Sequence, residues 1–190
     1  MDVGPSPISK FSKDYQCGAL SFEIISKGKK LFNNSGYFAN KNNKFNKFSK
    51  SSALQNTMII EDHSSCDFVK NEKSEYIIKK GLKVSKKDIV FEDNYWKISA
   101  SHDGYLKKFN TIHERKIEFY PEQEKFIGFD KILKKNNKKN IKFDIRFHLD
   151  PKTKVMKTLD NKSILIELED EGWRFSCDNF DINIDNGIYF

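Results

Sequence analysis

Apolar and polar residues alternate with a period of two along much of the chain. Residues 96–100 run Trp96, Lys97, Ile98, Ser99, Ala100. Residues 112–119 continue as Ile112, His113, Glu114, Arg115, Lys116, Ile117, Glu118, Phe119. Strict alternation sends neighbouring side chains to opposite faces of a strand. It therefore puts His113, Arg115 and Ile117 on one face, and Ile112, Glu114 and Lys116 on the other. Asp103-Gly104 between the two runs is a turn dipeptide, so residues 98–118 read as a hairpin. Ile141, Phe143, Ile145 and Phe147 alternate in the same way with Lys142, Asp144, Arg146 and His148.

Other short apolar runs read as strands at 17–25, 31–33, 51–61, 76–78, 89–91, 126–133, 163–168, 172–177, 180–184 and 187–190. Turn residues separate them, as in Lys27-Gly28-Lys29 and Asp93-Asn94. Residues 37–50 show no period and read as a long loop, and residues 134–140 as a solvated Lys/Asn loop. Residues 1–14, with Pro5 and Pro7, read as a linker or extended arm. No segment keeps a helical period over ten residues. The pattern predicts an all-β domain over 15–190, an antiparallel two-sheet β-sandwich of many short strands.

Composition adjusts this picture at three points. A charged fraction of 32% and a hydrophobic fraction of 37% resemble a disordered chain, but 17 Phe and 7 Tyr in regular runs supply enough buried area for a core. No apolar run is long enough for a membrane-spanning helix, and residues 1–7 lack the basic and apolar regions of a secretory signal. The net charge of +7 comes almost wholly from lysine, alongside abundant asparagine. That is a compositional bias more than a polyanion patch. Without a basic-aromatic motif, no nucleic-acid partner is expected. Cys17, Cys66 and Cys177 are odd in number and far apart, so they indicate neither a disulfide framework nor a cysteine zinc site. Buried thiols are the ordinary reading.

The candidate chemistry concentrates in residues 98–118. His113 and Arg115 side by side form either an anion-binding pair or a solvated polar stripe. His102, Asp103 and His113 offer two imidazoles and a carboxylate, enough for an open zinc site, or else a hydrogen-bonded turn. Tyr105 is a cleft phenol or a half-buried aromatic at the hairpin end. His148 reads as a brace at a strand end, His63 as solvated, and Trp173 and Phe175 as core.

Six stretches together carry a resemblance. They are Cys17-Gly18-Ala19-Leu20-Ser21-Phe22-Glu23, Ser51-Ser52-Ala53-Leu54-Gln55-Asn56-Thr57, Ala100-Ser101-His102-Asp103-Gly104-Tyr105, Ile112-His113-Glu114-Arg115, Ile145-Arg146-Phe147-His148-Leu149-Asp150-Pro151 and Glu171-Gly172-Trp173-Arg174-Phe175. In this order, over 17–190, they resemble the C-terminal β-sandwich domain of heparinase II/III-like polysaccharide lyases, particularly the alphaproteobacterial group. The resemblance implies a partner, an N-terminal toroid of helices that this chain does not include, upstream or in trans. It implies an acidic polysaccharide substrate in the cleft between the two, and a location in the cell envelope or periplasm.

The implied reaction is β-elimination on a uronic acid. Preorganised donors neutralise the carboxylate while the C5 proton leaves. A Tyr or His removes that proton, and an acid protonates the leaving oxygen. Tyr105 and His113 are the catalytic candidates, with Gln55, Asn56 and Arg115 as substrate-binding candidates. His102, Asp103 and His113 are candidate ligands for the structural divalent metal, such as zinc, that some members hold. One departure stands out. The family's Ser-x-x-Ala-His-Asn-Thr motif has Gln55 where the histidine belongs. Glutamine can donate a hydrogen bond to a carboxylate but cannot exchange a proton at neutral pH. The same departure supports an alternative, a non-catalytic module that binds acidic polysaccharide or supports structure.

Overall fold

In a computed structural model that describes residues 1–40, 44–134 and 140–190, the chain is an antiparallel β-sandwich broken into five sheets. The largest sheet has four strands in sequential order: β6 (Val84–Glu92), β7 (Tyr95–His102), β8 (Thr111–Tyr120) and β9 (Lys125–Lys134). A three-stranded sheet follows, with β11 (Lys154–Lys157), β12 (Ser163–Leu168) and β13 (Glu171–Ser176). Three two-stranded pairs complete the set. They join β1 (Ile24–Ser26) to β2 (Lys29–Phe32), β3 (Met58–Ile60) to β10 (Phe143–Ile145), and β4 (Asp67–Lys70) to β5 (Tyr76–Lys80).

The alternation holds where both neighbours are regular strands. His113 pairs directly with His102 and Arg115 with Ala100 across β7–β8, while Arg115 pairs with Asp130 across β8–β9. The β7–β8 connection is longer than a two-residue turn. Asp103-Gly104 opens it, and a one-turn helix, Leu106–Phe109, completes it. Gly104 is there because a Cβ would lie 2.5 Å from the Ser65 carbonyl oxygen.

Elsewhere the regular pattern gives way. Of the run at 17–25 only Ile24 and Ile25 are strand, the start of β1. Cys17 to Phe22 form an irregular strap, with Leu20 at φ 60° and strap carbonyls satisfied by side chains rather than by a ladder. The long loop at 37–50 contains a short helix at Lys44–Ser49, and residues 41–43 lie outside the described residues. The run at 51–61 begins as a single 3-10 turn, Ser52–Leu54, and becomes strand only at Met58. Runs 180–184 and 187–190 are not strands. Each is tied to the body by single backbone bonds, Ile182 to Asn161 and Phe190 to Ser35. Of the Lys/Asn loop at 134–140, residues 135–139 lie outside the described residues.

Three small cores replace one large one. Leu31, Phe32, Ile164, Ile166 and Leu168 pack with Phe22, Phe147, Trp173 and Phe175. Cys17, Ala19, Cys66 and Leu82 form a second, and Met58, Ile60 and Tyr105 a third. Residues 1–14 are an arm laid along the body. Asp2 N–H donates to the Ser21 carbonyl and the Asp2 carbonyl accepts from Leu20 N–H, Ser6 pairs with Leu82, and Ser9 and Ser12 hydroxyls bond Ile78.

Candidate functional site

The strap, the Ser52–Leu54 turn and the β7–β8 hairpin meet over one face of the four-stranded sheet. Irregular backbone packed there has no ladder partners, and buried carbonyls must still be satisfied. Side-chain donors meet that need. Arg115, 1% exposed, donates from Nη1 to the Leu20 and Asn56 carbonyls at 2.9 and 2.5 Å. Its Nε and Nη2 clamp both oxygens of Asp130 at 2.8 and 2.9 Å. Four of its five N–H groups are thus engaged, and its Cζ lies 5.4 Å from the Phe22 ring centroid. Thr57 Oγ1 donates to the Ala19 carbonyl, and Ser52 Oγ to that of Cys17.

The two histidines form a wire with a fixed direction. Gly104 N–H donates to His102 Nδ1 at 3.2 Å, so His102 carries its proton on Nε2. His102 Nε2–H then donates to His113 Nδ1 at 3.2 Å, and His113 Nε2–H donates to Asp130 Oδ1 at 2.6 Å. Both rings are buried. Burial holds the His102 pKa well below its ordinary 6.5, and the neighbouring His113 and Arg115 push it the same way. His113 is also lowered, chiefly by burial, against the opposing pull of Asp130. Burial works to raise the Asp130 carboxyl, but Arg115 and His113 outweigh it and hold the pKa at about 2. The cluster is therefore one guanidinium clamped on one carboxylate, with two neutral imidazoles hydrogen-bonded in series to that carboxylate.

Asn56 is fixed on three sides. Its N–H donates to Asn34 Oδ1, its Nδ2 donates to the Phe22 carbonyl, and its Oδ1 accepts from His148 N–H at 2.5 Å. His148 braces the same loop, with Nε2 at 3.1 Å from the Ala53 carbonyl and Nδ1 at 3.0 Å from Ser35 Oγ. Tyr105 is buried, and its hydroxyl donates to the Met58 carbonyl at 2.8 Å. Burial raises its phenol pKa. Gln55, 3% exposed, donates from Nε2 to Oε1 of the half-buried Gln16 at 3.0 Å. His63 lies exposed at the turn after β3.

Five of the six sequence motifs meet here, through Leu20 and Phe22, Asn56, His102 and Tyr105, His113 and Arg115, and His148. The sixth joins through Phe175, whose ring packs on Phe32 and Phe147. A family model, heparinase II/III-like, C-terminal, matches residues 1–190. The chain belongs to that family. Membership makes it a polysaccharide-lyase-related domain, and it suggests a polysaccharide substrate and an N-terminal partner domain. Family members are typically secreted or envelope-associated. No curated protein and no solved structure matches the chain. No helix among the described residues is long and apolar enough to cross a membrane.

The candidate metal set of His102, Asp103 and His113 is engaged in hydrogen bonds within the protein. Every ring nitrogen of both imidazoles has a hydrogen-bond partner, and Asp103 Oδ1 accepts from Lys83 N–H at 2.7 Å. A metal on these rings would have to replace the hydrogen bond between His102 Nε2 and His113 Nδ1, or those to Gly104 N–H or Asp130. Among the described residues no group of three or more His, Cys, Asp or Glu is placed to hold one.

Asp130, which anchors both His113 and Arg115, lies outside the candidate set read from sequence. Its signal was available. Phe126, Gly128, Asp130 and Ile132 share one strand face, and a carboxylate on that face calls for a buried partner. A groove of about 620 Å³ lies apart from this cluster, beside Phe126, Lys125, Lys27, Trp173 and Arg174. Neither Gln55 nor Arg115 lines it.

Proposed function

We propose that this chain is the β-domain of a polysaccharide lyase that cleaves uronic-acid-containing polysaccharide by β-elimination, in the cell envelope and together with a helical domain. The observation that supports this is the convergence of five motifs, spread from Cys17 to Pro151 in sequence, on the Arg115–Asp130 cluster beneath the Gln55 loop. Arg115, Asn56, His113 and Tyr105 act here as positioning residues. Each is buried and spends its donors on backbone, on Asp130 or on a neighbouring side chain. They hold Gln55 against Gln16, the partly exposed member of the pair. Gln55 and Gln16 then offer amide donors to the uronate carboxylate, which gathers negative charge as the C5 proton leaves. The proton itself passes to a group of the helical domain, because Gln55 cannot take it.

A second reading has its own support. The groove beside Trp173 combines aromatic rings with Lys27, Lys125 and Arg174, set among Glu124, Asp170 and Glu171, a polar and aromatic surface suited to holding a sugar chain without turnover. One experiment separates the two. The chain is incubated with a panel of acidic polysaccharides, alone and with the helical domain, and the ultraviolet absorbance of the unsaturated uronate product is followed. A rise only with both parts, weakened in Gln55→Ala, supports the lyase reading. No rise, with salt-sensitive column retention that Trp173→Ala abolishes, supports the binding module and overturns the first.

A further inference from the structure

The strap carries four of the contacts that hold the site together, yet it belongs to no sheet. Its first residue is Cys17, which is wholly buried. Cys17 N–H donates to the Lys50 carbonyl at 2.8 Å, and its own carbonyl accepts from Ser52 Oγ. Its thiol lies 3.3 Å from Ser65 Oγ, and Ser65 directly precedes Cys66, which is 4% exposed. Cys17 and Cys66 also share one small core with Ala19 and Leu82. Cys177 is apart from both and only partly buried.

We propose that Cys17 and Cys66 are a disulfide site, closed when the chain folds in an oxidising compartment. Two buried thiols in one small core, one of them against the residue that precedes the other, are placed for such a bond, which spans Cα atoms roughly 4.4–6.8 Å apart. The bond forms by exchange with a small-molecule or protein disulfide. One cysteine thiolate attacks the donor disulfide, and a donor thiolate leaves and takes a proton. The other cysteine thiolate then attacks the mixed disulfide and expels the second donor thiolate. The chain loses two hydrogens and the donor gains them, so the step balances. Because both sulfurs are buried, this exchange belongs to folding, before the strap closes. The finished bond is shielded from reductant in the native state. It encloses a loop of about 50 residues and ties the strap to the segment that packs on Gly104, on the hairpin side of the histidine wire.

The test uses the full chain. It is unfolded and reduced, refolded with oxidised and reduced glutathione, then denatured, alkylated and weighed. The expected product has lost two hydrogens and carries one alkyl group, on Cys177, with a peptide map joining the Cys17 and Cys66 segments. A Cys177→Ser chain gives the same bond and no alkylation. Native oxidised chain should resist dithiothreitol until denaturant is added, and should melt roughly 10 °C above the reduced chain. Three alkylated thiols after refolding, a bond to Cys177, or glutathione adducts alone would overturn the proposal.

Discussion

The two ends of the four-stranded sheet invert the usual order of polar and apolar residues. At one end, Ala100, Arg115 and Asp130 lie in one row across β7, β8 and β9, and His102, His113 and Ile132 in the next. These rows are buried, with Asp130 at only 11% side-chain exposure. At the other end, on the same face, Phe91, Trp96, Phe119 and Phe126 pair directly across all four strands. Phe91 is 75% exposed and Trp96 39%. So guanidinium and imidazole are inside while aromatic rings face solvent.

What covers each end explains the inversion. The strap and the 52–57 loop lie over the first end, and their carbonyls demand side-chain donors, which Arg115, Ser52, Asn56 and Thr57 provide. Nothing among the described residues lies over the outer end of the second. There the rings shield one another, with centroids 4.8, 5.0 and 4.2 Å apart along the row. Burial along one strand is therefore set by the covering segment, not by the strand's own alternation.

The sharpest way to break this comparison is to remove one charge from the covered end. Arg115→Met leaves Asp130 buried without its main partner, an expected loss of about 3–5 kcal/mol in denaturant unfolding. Adding Asp130→Leu should restore part of that loss, because the uncompensated charge is gone.

Acid comes next. His102 and His113 have folded pKa values below 6.5, so below that pH the unfolded chain binds more protons than the folded one. Stability should fall as pH drops from 6.5, by up to about 1.4 kcal/mol per pH unit for each histidine. Asp130 adds a further loss of about 2 kcal/mol between its ordinary 3.8 and its folded value of about 2. Thermal melts across pH should show a steep acid limb, flattened in His102→Gln.

The smallest effects belong to the exposed end. Trp96→Ala should cost about 1 kcal/mol, through lost stacking on Phe91 and Phe119. Phe91→Ala should cost about 0.5 kcal/mol or less, since its ring is already mostly in water.

The strand face that carries both ends was legible from alternation alone, because β7, β8 and β9 are long and regular. His113, Arg115 and Ile117 share a face as the period of two requires. The fold class followed from the same periodicity. What stayed hidden was structure without a period. The strap looks like a strand because Ala19, Leu20 and Phe22 are apolar, yet Leu20 adopts a left-handed backbone and its carbonyl turns to Arg115. The β4 and β11 strands, with exposed Lys70, Lys154 and Met156, carry no apolar stripe to find. Of the site, all the central residues but Asp130 were visible, though not their roles. Sequence offers His113 and Arg115 as a pair on an open face, and only the covering strap turns them into buried supports. The packing of Cys17 and Cys66 into one core had no signal at all, since neighbours in space need no spacing in sequence.

The most direct test of this account is the protonation of the histidine wire, read from imidazole nitrogen shifts by nuclear magnetic resonance. The account requires His102 and His113 to be neutral below the ordinary 6.5, both protonated at Nε2, and unchanged when zinc is added. Titration of either ring near 6.5, or a shift of both rings on adding zinc, would mean that this end of the sheet is open to solvent or metal, and that its residues are not the buried supports described above.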